Sequence, residues 1–107
     1  MASFYKNAKV DLTSTSVTTL YTAPAATTAI FRSLVVADYS GATSNITVTV
    51  TDSASAVFVL YNVKATVANG TVELLTQPLV IQESEVLKVT AANANRLHVI
   101  GSYLEIT

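Results

Sequence analysis

Asn45-Ile-Thr-Val-Thr-Val-Thr51 alternates residue by residue, with Ile46, Val48 and Val50 on one side and Asn45, Thr47, Thr49 and Thr51 on the other. A period of two belongs to a β-strand with one face in a core and the other in water. A helix cannot use this pattern, because its faces repeat every 3.6 residues. Thr and Val, both β-branched and strand-favouring, dominate the rest of the chain, and long stretches rich in Glu, Lys, Leu and Arg are missing.

The same signal recurs. Thr27–Asp38 reads as a long strand, with Ile30, Leu34 and Val36 opposite Phe31, Val35 and Ala37, and with Arg32 breaking the apolar side. Before it, Ser16–Thr22 is a shorter strand stopped at Pro24, which has no N–H for a ladder. Asp38–Ser44 is a turn of small polar residues around Gly41. In Ser55–Val63 both sides are apolar, so this strand is either central or lies under a partner. Asn69-Gly70 marks a tight turn expected to join a strand near Lys64–Val67 to Thr71–Thr76. Leu79–Ile81, Val86–Ala91 and Leu97–Ile106 complete the set, separated by Glu83-Ser84-Glu85 and Asn93-Ala94-Asn95. Eight to nine short strands at spacings of about 8–12 residues predict an all-β, antiparallel β-sandwich, jelly-roll or immunoglobulin-like. Ile46, Val48, Val50, Leu74, Val86 and Val99 are its expected core, with Phe31, Phe58 and Tyr61 as core aromatics. A 107-residue chain of this kind is expected to be one domain over residues 15–107, preceded by an N-terminal arm or edge strand over residues 1–14.

Composition narrows the function classes. Six Lys plus Arg stand against seven Asp plus Glu, and charged residues make up only 12% of the chain, about half the usual share. No basic stripe is present, so no nucleic-acid partner is expected. No apolar run reaches the ~20 residues of a membrane span, and no signal-peptide core opens the chain, so synthesis in a cytoplasm and no membrane partner are expected. With no cysteine, neither a disulfide framework nor a thiolate metal site is possible. Few charges with a positive mean hydropathy suggest a surface partly covered in assembly, so a homo-oligomer is expected.

No catalytic, cofactor or metal constellation emerges. His98 is the single histidine and reads as an outer-face strand residue, since no nucleophile elbow accompanies it. Glu83 and Glu85 read as a solvated turn, and Asp38 and Asp52 as turn caps in the absence of an EF-hand-like loop. Asn45-Ile-Thr47 and Asn69-Gly-Thr71 match the glycosylation pattern but read as a strand face and a turn. The chain is therefore expected not to be an enzyme. The candidate contact residues lie in Ser3–Leu12, where Phe4, Tyr5, Val10 and Leu12 are apolar without clean alternation. Aromatics on a free arm are a liability unless they anchor in a neighbour.

Leu20-Tyr-Thr-Ala-Pro-Ala25, Thr71-Val-Glu-Leu-Leu-Thr-Gln-Pro78 and the closing Gly101-Ser-Tyr-Leu-Glu-Ile-Thr107 give the chain its resemblance to a known group. From about Val17 to Thr107 it resembles small virion structural proteins of tailed bacteriophages, of the marine and cyanobacterial type. Where those carry a Gly-Asp turn, this chain has Glu83-Ser84-Glu85. The resemblance implies a β-sandwich building block of the virion, assembled in the host cytoplasm. It further implies a capsid decoration or cement protein whose partners are the major capsid protein or other virion proteins. A tail, neck, baseplate or fibre component, or a host-surface carbohydrate-binding module, is the alternative.

Overall fold

The computed structural model describes residues 2–107, and over them nine strands form two antiparallel sheets with no helix. The strands are β1 (Ser3–Leu12), β2 (Thr18–Thr22), β3 (Thr28–Asp38), β4 (Asn45–Thr51), β5 (Val57–Ala65), β6 (Thr71–Glu73), β7 (Leu79–Ile81), β8 (Val86–Ala91) and β9 (Leu97–Ile106). One sheet runs β1-β9-β3, with β6 and β7 both beside β3, and the other runs β2-β8-β4-β5. β6 pairs with Val35–Ala37 and β7 with Ala29–Phe31, so the two short strands fill one position interrupted around Pro78. The remaining connections alternate between sheets, apart from the β4–β5 hairpin. This is the order of a jelly roll. An immunoglobulin-like sandwich keeps its first two strands side by side, whereas β1 and β2 here lie in different sheets.

The core lies between the sheets. Phe31, Leu34, Val36, Ile46, Val48, Leu87, Val89, Leu97 and Val99 are fully buried in it, with Leu12, Leu74 and Ile81 beside them. At one end Tyr21, Phe31 and Tyr103 form an aromatic cluster, with Phe31 stacked on Tyr103 at 4.7 Å and edge-on to Tyr21 at 5.3 Å. Gly101 lies opposite Leu34 on β3, and its missing side chain makes the room that the Phe31 ring occupies.

Four expectations need correction. On β3 the register shifts between Phe31 and Ser33, so Phe31 faces inward together with Leu34 and Val36 instead of opposing them. A bulge at Arg32 inserts the residue that switches sides. On β8 the inward residues are Leu87, Val89 and Ala91, and Val86 is only half-buried. Val50 is also half-buried, because it ends its inward row at the open rim of the sandwich. The Asn69-Gly70 turn does form, with Gly70 N–H donating to the Val67 carbonyl at 3.0 Å and Asn69 at φ 53°. It does not close a hairpin: β5 is in one sheet and β6 in the other, so the turn serves a crossover.

Candidate interaction surfaces

β1 is an edge strand paired with β9 along its full length, Ser3 opposite Ile106 through Leu12 opposite Leu97. Its inward residues are Phe4, Lys6, Ala8, Val10 and Leu12, so alternation is present once Lys6 is allowed an inward place. The inward lysine is explained by Glu105, which also points inward from β9. Lys6 Nζ lies 2.7 Å from Glu105 Oε1, and the Tyr21 hydroxyl donates to Oε2 at 2.5 Å. The lysine and tyrosine partners hold the Glu105 carboxyl below the usual carboxylate range. Burial, followed by the Glu105 bond, raises the Tyr21 hydroxyl. The network fastens the first half of β1 to both sheets.

The four contact candidates on this strand divide. Leu12 is buried in the core and cannot touch a neighbour while β1 stays in its sheet, whereas Val10 packs against the core and is half-buried beside a surface groove shared with Lys9, Asp11 and His98. Phe4 is 51% exposed at the rim and Tyr5 is 79% exposed on the outer face. The two aromatics are thus the most exposed of the four.

On the opposite edge, β5 carries the larger apolar surface. Val57, Phe58, Val59 and Val63 are each between 56% and 60% exposed. Phe58, expected in the core, is therefore a surface residue. Tyr61 is half-buried, its hydroxyl donating to the Leu74 carbonyl. Register with β4 explains this. Val48 opposes Tyr61 and Thr49 opposes Val59, while Ile46 opposes Lys64, so β5 carries two residues more than the stretch of β4 it faces. The extra residues bulge the second half of the strand, while Phe58, opposite Val50, stays exposed because it lies at the open rim of the edge strand. Val63 takes φ 54°, a left-handed conformation unusual for a β-branched residue, with its N–H donating to Thr47 Oγ1 at 3.1 Å. Between β5 and β7 a groove of about 410 Å³ opens, lined by Val50, Phe58, Leu60, Leu79, Val80 and Glu85 among others.

The outer face near the β3–β4 turn holds a smaller cluster. Tyr39 stacks on His98 at 4.2 Å, and Asp11 Oδ1 lies 3.3 Å from the Tyr39 hydroxyl and 3.4 Å from His98 Nε2. His98 thus sits on the outer face, between an aromatic and a carboxylate. Asp38 and Asp52 cap turns: Asp38 Oδ1 accepts from the N–H groups of Ser40 and Gly41, and Asp52 Oδ1 from those of Ala54 and Ala56. Glu85 accepts from the Gln82 N–H within its turn. Among the described residues, no group of three or more His, Cys, Asp and Glu is placed to hold a metal ion. In comparisons with known proteins, no family profile, curated protein or solved structure matches this chain.

Proposed function

We propose that this chain is a structural protein of a tailed-phage virion, most specifically a capsid decoration or cement protein that binds the shell and bridges neighbouring subunits, and that it is not an enzyme. The observation that carries the reading is the apolar first half of the β5 edge, Val57–Val59, since Lys64 and the bulges lie in the other half. Natural sheets blunt exposed edges with charges, prolines or coverings. Contiguous exposed apolar side chains mark a surface meant to be covered. Val57-Phe58-Val59 has no charge within it. The resemblance of Leu20–Ala25, Thr71–Pro78 and Gly101–Thr107 to small virion proteins supplies the context for such a surface. Phe4 and Tyr5, exposed on the opposite edge, are the proposed contacts to the major capsid protein, since aromatics are favoured at interface centres.

Quantitative mass spectrometry of purified particles tests the proposal. A cement protein approaches the copy number of the major capsid protein. A few copies per particle would move the chain to the tail, neck or baseplate, and absence from particles would overturn the virion reading. The Tyr39–His98 pair with Asp11 supports one second reading, a carbohydrate-binding module, because an aromatic face beside a carboxylate suits a sugar ring. Glycan-array binding lost in Tyr39→Ala would favour it.

A further inference from the structure

We propose that the covering of β5 is a second copy of this chain, joined by antiparallel pairing of the two β5 strands across a two-fold axis near Phe58. This rests on the assembly reading above and names the partner for one of its two edges.

From Ala56 to Asn62 the sequence is Ala-Val-Phe-Val-Leu-Tyr-Asn, without an ionisable group of either sign apart from the Tyr61 phenol. A two-fold axis brings each residue near its own counterpart or a close neighbour, so a charged strand would meet like charge. This strand meets none. The other open edges differ: β1 carries Lys6, Lys9 and Asp11, β2 presents mainly threonines, and β6 and β7 are only three residues long each. A partner of opposite chemistry would need a charged or polar address on β5, and its central stretch offers none.

Register gives the second argument. With the axis at Phe58, the two Phe58 residues meet across it and Val57 of each copy lies beside Val59 of the other, so these pairings are apolar on apolar. Moving the axis to Leu60 would set Phe58 against Asn62. The bulges near Leu60 and Asn62 limit regular pairing to the first half of β5. That half carries three consecutive exposed apolar residues, Val57, Phe58 and Val59. Two sandwiches joined this way form one continuous eight-stranded sheet, and the free edge N–H and C=O groups become partners of one another.

Sedimentation velocity of the full chain from about 1 to 100 µM tests this, with three variants. The wild type is expected to convert from monomer to a dimer that grows no further. Val59→Lys, a charge beside the axis on a solvent-facing position, should weaken dimerisation at least 100-fold with circular dichroism unchanged. Tyr5→Ser should dimerise like wild type. Val63→Gly, which leaves the axis intact, should also dimerise. A wild type that stays monomeric to 100 µM, oligomers that grow beyond two, or loss of association in Tyr5→Ser would each overturn the inference. The last two results would indicate head-to-tail contact between β1 and β5. A monomer that still appears on particles at high copy number would overturn the second copy while leaving the virion reading standing.

Discussion

Gly101→Ala should destabilise this protein even though backbone reasoning alone says the opposite. Gly101 sits within β9 in ordinary extended conformation, and replacing a strand glycine by alanine normally stabilises by roughly 0.5–1 kcal/mol. Here the new Cβ would stand 2.6 Å from Phe31 Cε2 and 3.1 Å from Cδ2. The ring has no free space to retreat into, being fully buried and packed on Tyr21 and Tyr103. Overpacking of this kind costs about 1–3 kcal/mol. The clash outweighs the backbone gain, and a net loss of about 1–2 kcal/mol is expected. In a domain of this size that lowers Tm by about 5–15 °C. A double-mutant cycle isolates the cause. Phe31→Leu removes the ring atoms in question, so Gly101→Ala in that background should cost nothing or stabilise slightly. The coupling should reach at least ~1 kcal/mol, as for residues in contact. Urea denaturation of the four proteins measures it. If Gly101→Ala cost the same in both backgrounds, the account of Gly101 as the space for Phe31 would be wrong.

Two further perturbations follow from the geometry. The Glu105 carboxyl is depressed first by Lys6 and then by Tyr21, so its contribution is complete above the ordinary glutamate range near 4.5 and is lost as pH falls through its lower folded value. Thermal melts of the wild type should therefore decline below pH 4.5 more steeply than those of Glu105→Gln, which starts from a lower Tm at pH 7; equal slopes would deny Glu105 this role. Val63→Gly should raise the urea midpoint by the equivalent of up to about 1 kcal/mol, since relief of roughly 1–3 kcal/mol of left-handed strain exceeds the entropic cost of glycine; a fall would contradict the strain.

Much of this architecture is legible in the chain because alternation and breakers agree. Asn45–Thr51, Val86–Ala91 and Leu97–Ile106 are strands with the bounds their patterns set, and Pro24, Gly41 and Asn95 fall in the turns between strands. Where the reading of faces failed, a local irregularity or an overlooked charge was responsible. A bulge at Arg32 has no periodic signature, so alternation groups Phe31 with Val35 and Ala37 although it shares the core face with Leu34 and Val36. On β8 the side of Val86 is also the side of Lys88, and that lysine marks it as the face turned from the core. Connectivity stayed open between two sandwich types because a period of two assigns faces and not neighbours. Lys6 and Glu105 are separated by nearly the whole chain, so nothing in either segment announces their pairing. The apolar character of Ser55–Val63 was visible, with its two possible meanings. Position at the sheet edge removes the central-strand meaning and leaves Val57, Phe58 and Val59 exposed, the surface that the proposed function covers.

The proposed covering of β5 is most directly tested by amide hydrogen exchange on the free chain at low concentration and on the same chain bound to particles, followed by mass spectrometry. The account predicts that the Val57–Val63 amides, open on one side in the isolated sandwich, exchange markedly more slowly in the bound state. Equal exchange there in both states, with protection confined to other segments, would contradict it.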